Sequence, residues 1–246
     1  MKTIIVIPAR FKSSRFPGKP LIKLINKPMI QWVAELCAKV ISRKNIYIAT
    51  DNNKIFNTVN QIGFKAIMTS KNCLTGTDRL AEVAQKIKAD IYINVQGDEP
   101  LINPKDIKKI INTKKKYFNS VINGYSEIKK SENPGSLNIP KVIFTKDKRL
   151  VYISRKTLPG FKDKTKKPKK YYKQVCIYAF NRKELIMYKN YGRKSIIEEH
   201  EDIEILRFLE FGKIIRLVKT TSGSLAIDIP EDVKRVELKL KKFQKN

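Results

Sequence analysis

The stretch that decides the fold is IIVIPARFKSSRFPGKPL, Ile4 to Leu21. An apolar run gives way after Pro8 to a loop carrying Arg10, Lys12, Arg15 and Lys19, with a single glycine at Gly18. Such a run of branched apolar residues reads as a strand buried on both faces, the kind found in parallel sheets. The loop then lies at the strand's carboxyl end, where open α/β sheets bind ligands. Two readings of its cations stay open at this level. They form a cradle for the phosphates of one small ligand, or they belong to a diffuse polyanion-binding surface. Arg10 and Lys19 could neutralise a triphosphate, while Gly18, Ser13 and Ser14 permit close backbone approach. The loop matches neither GxxxxGK[ST] nor GxGxxG.

Outward from this loop, strand and helix signals alternate. KPMIQWVAELCAKVI has helical spacing from Met29 to Val40, with Pro28 at its first turn. NIYIAT (Asn45–Thr50) is a strand, and a short helix follows with Asp51 as expected N-cap. FKAIMT is a strand, DRLAEVAQKI a helix, DIYINVQ (Asp90–Gln96) a strand and NPKDIKKIINTKKK a helix. This rhythm predicts an α/β fold with a mostly parallel central sheet and helices on both faces. After Phe118 come short β-type runs, SVINGYSEI, PKVIFT, LVYIS and VCIYAF, which predict an inserted antiparallel β subregion over roughly 118–180. A helix KELIMY, one longer helix over EEHEDIEILRFLEFG closed by Gly212, a strand KIIRLV and a final helix from PEDVKRVELKL complete the chain. With no internal repeat or linker, residues 1–246 read as one domain.

The formal charge of +29 points toward nucleic acid or a membrane surface. Only eleven of the 52 basic residues are arginine, the residue suited to bidentate phosphate and base recognition, and the lysines are scattered over nearly every helix. A lysine-coated surface is the expectation, with no nucleic-acid partner. Lys162 to Lys173, which holds seven lysines, is the densest patch and reads as a solvated loop. No apolar run approaches the roughly 18 residues of a membrane span, so no membrane association is expected. The N-terminal residues read as strand and basic loop rather than signal peptide. Three widely spaced cysteines, Cys37, Cys73 and Cys176, lack metal-ligand spacing and suit free thiols in the cytoplasm.

Other polar clusters fall at expected strand ends. NVQGDEP (Asn94–Pro100) ends a buried strand in Asp98 and Glu99 after a glycine. A carboxylate facing a basic loop suits a magnesium–triphosphate site; the plainer reading is a turn acid. AIDIPEDV places Asp228 after a short expected strand and before Pro230, where a helix cap is the commoner role. TGTDRL (Thr75–Leu80) could bring helix N–H groups and Arg79 to a base or phosphate; alternatively Thr77 is a plain N-cap. The only histidine, His200, lies in an acidic helix and reads as a solvent-side residue. With no nucleophile–histidine pair in view, the chemistry expected is phosphoryl or nucleotidyl transfer by positioning and metal.

The whole chain resembles the CMP-Kdo synthetases, the 3-deoxy-manno-octulosonate cytidylyltransferases. The words that carry the resemblance are IPARFKSSRFPGKPL, KPMIQWV, IATD, TGTDRLAEV, NVQGDEPLI, IPKVIF, LVYISRKTLPG, YKQVCIYAF, IEILRFLEFG and AIDIPEDVKRV. It implies a single Rossmann-like nucleotidyltransferase domain that joins CTP to a 3-deoxy-ulosonic acid, releasing pyrophosphate. It further implies Mg²⁺ as cofactor, held by Asp98 and Asp228, and a homodimer built largely by the 118–180 subregion. Ala9, Arg10, Arg15, Lys19, Thr75, Gly76 and Arg79 match nucleotide-side positions. Gln96, Arg155, Gln174, Tyr178 and Glu204 match sugar-side positions. Lys19, Asp98 and Asp228 are the implied catalytic group. The product would feed lipopolysaccharide or capsule synthesis.

Three positions depart from the common pattern. Gln174 replaces a histidine, Ile205 a glutamine and Ile229 a threonine. All three are expected on the sugar side, so the acceptor stays open between Kdo and another ulosonic acid, 8-amino-Kdo or a sialic-acid-like sugar. A basic nucleic-acid-binding protein is the reading from another class, marked by steep salt dependence of binding.

Overall fold

A computed structural model describes residues 1–12, 16–221 and 225–244. In chain order the elements are β1 (Thr3–Ala9), a small hairpin of β2 (Lys23–Leu24) and β3 (Lys27–Pro28), α1 (Met29–Ala38), β4 (Ile46–Thr50), α2 (Asn53–Gln61), β5 (Lys65–Met68), α3 (Gly76–Lys86), β6 (Ile91–Val95) and α4 (Pro104–Lys116). Then follow β7 (Val121–Glu127), β8 (Lys141–Phe144), β9 (Leu150–Ser154), β10 (Tyr172–Asn181), α5 (Arg182–Tyr191), α6 (Ile196–Glu201), α7 (Leu206–Glu210), β11 (Ile215–Lys219) and α8 (Asp232–Gln244).

The main sheet has the order β11-β7-β10-β6-β1-β4-β5. Every pairing along it is parallel except those of β10, which runs antiparallel to both β6 and β7. The expected α/β sheet is therefore present, and the antiparallel insertion is narrower than the 118–180 span suggests. β7 and β10 are members of the main sheet, and only the β8–β9 ribbon stands off it. Strand β1 shows why this topology suits the sequence. Ile4 and Val6 point into one core with Leu80, Ala84, Leu185 and Phe208, while Ile5 and Ile7 point into another with Val33, Ile55 and Ile107. All four are fully buried, each contributing roughly 1.5–3 kcal/mol. A third, smaller core packs Leu24, Met29, Ile227, Val236 and Leu240 under the basic loop.

Three local readings change. The N-cap of α2 is Asn52, whose side chain accepts from Lys54 N–H at 2.8 Å; Asp51 is instead drawn away by Arg79. The long helix expected over EEHEDIEILRFLEFG breaks into α6 and α7 at Asp202, which adopts a left-handed backbone with φ 49°. Among the described residues the short strand expected before Asp228 is absent; residues 225–227 have no regular secondary structure and are held by an Ile227 N–H bond to the Asp98 carbonyl at 3.0 Å. His200 is exposed, as is most of the lysine-rich loop. Among the described residues no helix is long and apolar enough to cross a membrane.

Candidate active site

The carboxyl ends of β1 and β6, the N-terminus of α3, the middle of β10 and the α6–α7 corner enclose one cavity of about 340 Å³. Ala9, Arg10, Lys19, Thr75, Gly76, Arg79, Gln96, Asp98, Arg155, Gln174, Tyr178, Glu204 and Asp228 all border it. Arg15 lies outside the described residues. Residues far apart in sequence meet because parallel strands deliver all their carboxyl ends to one edge.

At one wall Lys19 reaches out of the basic loop. Its Nζ lies 2.6 Å from Asp98 Oδ2 and 3.5 Å from Asp228 Oδ1. Two carboxylates from distant segments thus converge on a single cation. Asp98 is held by the tight turn after β6. A Cβ on Gly97 would sit 2.9 Å from the Pro8 carbonyl oxygen, so only glycine lets the turn pack this closely against β1. Asp228 is anchored by the buried Ile227 and by its own N–H bond to Asp232 Oδ2 at 3.0 Å. The same Asp232 oxygen accepts from the Ile229 N–H at 3.3 Å, so the first residue of α8 holds the segment that carries Asp228.

The donor set fits a magnesium ion. Both groups are hard oxygen donors focused on one cation's position, and Mg²⁺ is bound by one or two carboxylates with substrate phosphates completing its shell. Asp98 and Asp228 are the residues that would hold it.

At the N-terminus of α3 the cap is Thr75, in a capping box with Asp78; Thr77 is not the cap. The Thr77 N–H instead donates to Glu204 Oε2 at 2.8 Å, and Gln96 Nε2 donates to Glu204 Oε1 at 3.4 Å. The break at Asp202 is what turns Glu204 inward to this helix end. Burial pushes the Glu204 carboxyl above its ordinary range, opposed by the Thr77 hydrogen bond. A carboxyl raised in the folded state takes up a proton on folding. Its contribution is therefore present below the unfolded-state value and lost as pH rises through the folded one. Glu204→Gln keeps an acceptor for Thr77 and removes that loss. Its stability relative to wild type should improve as pH rises above about 4, the ordinary glutamate value, read by urea titration at each pH. A constant difference would mean an ordinary carboxylate.

Two of the four arginines expected to touch ligand, Arg79 and Arg155, are already committed. Arg79 Nη2 pairs with Asp51 Oδ2 at 2.6 Å and Nη1 donates to Thr69 Oγ1 at 2.7 Å. It ties α3 to the ends of β4 and β5. Arg155 donates from Nε to the Glu201 carbonyl at 2.6 Å and from Nη2 to the Asp202 carbonyl at 3.0 Å, stitching the β9 end to the α6–α7 corner. Both still border the cavity. Arg10 is exposed, and its positive charge helps hold the Asp202 carboxyl below its ordinary value, behind the larger effect of the Lys194 hydrogen bond at 2.8 Å. Lys194 and Asp202, a cavity-lining ion pair, were not legible in the sequence, because only the helix break brings them to the rim.

Of the three departures, one reaches the site. Gln174 borders the cavity. Ile205 is buried in the core beside Leu206 and Phe208, and Ile229 is half-exposed before α8; neither lines it.

A family model described as cytidylyltransferase matches residues 4–215. A 3-deoxy-manno-octulosonate cytidylyltransferase of Geobacter metallireducens is 40% identical over 255 residues, covering 99% of this chain and 100% of that protein. An 8-amino-3,8-dideoxy-manno-octulosonate cytidylyltransferase of Shewanella oneidensis is 35% identical over 248 residues, covering 98% and 99%. The solved structure of a CMP:2-keto-3-deoxy-manno-octonic acid synthetase complexed with CTP superposes with a TM-score of 0.90 at 34% identity, covering 98% of this chain and 99% of the other. On this full-length likeness the chain belongs to the cytidylyltransferase family, in the group that holds the 3-deoxy-manno-octulosonate cytidylyltransferases.

Proposed function

We propose that this chain transfers a cytidylyl group from CTP to the anomeric hydroxyl of 3-deoxy-manno-octulosonate, with Mg²⁺ as cofactor. The observation that carries the reading is the Lys19 ammonium set between Asp98 and Asp228 on the wall of the cavity. In the reaction the anomeric oxygen forms a bond to the α-phosphorus, the bond from that phosphorus to the bridging oxygen breaks, and pyrophosphate leaves with the electron pair. The hydroxyl proton passes to solvent. Lys19 neutralises charge on the triphosphate, and Arg10 adds positive potential at the rim. The acid's carboxylate and the phosphates repel, so the site must bring cations between them. When bound by Asp98 and Asp228, Mg²⁺ supplies Lewis-acid polarisation of the phosphate oxygens and screens that repulsion.

The relative acting on the 8-amino acid supports a second reading, in which the acceptor is 8-amino-3,8-dideoxy-manno-octulosonate. Further proposals accompany the first reading: a cytoplasmic homodimer supplying lipopolysaccharide or capsule synthesis.

The test is pyrophosphate release from CTP with Mg²⁺ and each acid in turn, with the CMP-sugar identified by mass. Turnover of Kdo at least as efficient as of the other acids is expected. Preference for the 8-amino acid would move the assignment to it, and release with neither would overturn both. Asp98→Asn and Asp228→Asn should each lower kcat/KM about 10²-fold or more and weaken magnesium activation. Unchanged magnesium dependence in both would remove them from the metal site.

A further inference from the structure

Strand β10 carries a bulge where it passes the cavity. Val175 lies opposite Gly124 and Tyr178 opposite Asn123, so Cys176 and Ile177 have no partner on β7. The bulge is built in on the β7 side. A Cβ on Gly124 would meet Ile177 Cγ2 at 2.7 Å, and the Asn123 side chain fills the gap in the ladder. Its Nδ2 donates to the Val175 carbonyl at 2.9 Å and to the Ile177 carbonyl at 3.2 Å. Asn123 is fully buried.

The polarity of this contact is forced. Backbone carbonyls only accept, so the Asn123 amino group must face them and its Oδ1 must face the other way. Oδ1 also only accepts. The group beside it, the Gln174 amide, must therefore present Nε2, which donates to Asn123 Oδ1 at 3.2 Å. The same Nε2 donates to the Tyr178 hydroxyl at 3.3 Å. Both hydrogens of the Gln174 amide are used within the protein. Its Oε1 has no protein partner among the described residues, and Gln174 borders the cavity.

We infer that Asn123 locks the Gln174 amide with its carbonyl oxygen toward the cavity, so that this position reads a hydrogen-bond donor on the acceptor sugar. The inference rests on the proposed acceptor class, a 3-deoxy-ulosonic acid. A hydroxyl or ammonium on the polyol tail satisfies Oε1, whereas the sugar's carboxylate offers only acceptors and is turned away from β10. A free glutamine could rotate its amide and accept either group; this one is held. Gln174 is thus a specificity residue, and Asn123 is a positioning residue acting through it.

The experiment uses the full chain, CTP, Mg²⁺ and a series of Kdo analogues in which one tail hydroxyl at a time is replaced by hydrogen or by fluorine. Fluorine at a tail carbon accepts weakly and cannot donate. At one tail position both replacements should raise the KM for the acid about tenfold in wild type, the loss of one hydrogen bond with its acceptor left unpaired. In Gln174→Met and in Asn123→Leu that penalty should fall below about twofold, with the KM for CTP moving less than twofold. If Asn123→Leu fails to fold, Gln174→Met alone decides. Three results would overturn the inference: a fluoro analogue used as well as its parent where the deoxy analogue is not, a series with no discriminating position, or a Gln174→Met effect on the KM for CTP instead of the acid. Absence of turnover of every ulosonic acid by wild type would instead overturn the acceptor assignment, and this inference with it.

Discussion

Lys19→Ala should lower kcat/KM for CTP by about 10²–10³-fold, measured as pyrophosphate release at saturating acid. Lys19 is the only described cation paired with both Asp98 and Asp228. Its removal takes positive charge from the triphosphate and leaves two carboxylates facing each other. Lys19→Arg keeps the charge but puts a planar fork where a compact ammonium fits between two oxygens, so it should recover only part of the loss. Lys12→Ala is the control in the same loop. Lys12 is exposed and lies off the cavity wall, and its loss should change kcat/KM by less than about twofold. Equal modest effects from both substitutions would mean that the loop acts as a diffuse basic patch. That outcome would restore the alternative left open when Ile4–Leu21 is read alone.

Arg207→Met should destabilise the fold by about 3–5 kcal/mol, measured by urea unfolding. The Arg207 side chain is fully buried behind the cavity. Its Nε and Nη2 meet the two oxygens of Glu198 at 2.6 and 2.8 Å, its Nη1 lies 3.3 Å from Asp78 Oδ1, and its guanidinium stacks 3.6 Å from the centre of the Tyr188 ring. Methionine fills much of the volume and leaves Glu198 and Asp78 buried without their cation. Adding Glu198→Gln to Arg207→Met should restore part of the stability, because one uncompensated charge is then gone. Those same acids cap α6 and α3, so the single variant should also raise the KM for both substrates while still folded. A loss below about 1 kcal/mol would mean that the acids find water or protons at little cost.

The order of strands and helices was legible because its signals are local. Ile4–Ile7 is an apolar run and Ile91–Val95 is one interrupted only by the buried Asn94, both with polar residues at their carboxyl ends, and the helices between them carry one apolar face each. Misread points are those where a distant partner overrides a local preference. Asp51 is a good N-cap by type, but Arg79, 28 residues on, takes its carboxylate and leaves the cap to Asn52. The run from Glu198 to Gly212 has helical composition throughout. Yet Glu204 turns in to the α3 N-terminus, and the chain bends at Asp202 to let it. Sequence resemblance assigned Gln174, Ile205 and Ile229 to the sugar side. Packing put Ile205 in the core and Ile229 before α8.

By itself the sequence determined the α/β class, the family and which short words hold the polar residues, because periodicity and motif order are properties of neighbouring residues. Tertiary structure alone decided what those residues are free to do. It spent the guanidinium groups of Arg79 and Arg155 on internal partners, set Lys19 between two acids more than 100 residues apart, and fixed which atom of Gln174 faces the cavity. The physical reason is that a donor or acceptor has finite capacity, and only the folded neighbours show how much of it remains for a ligand.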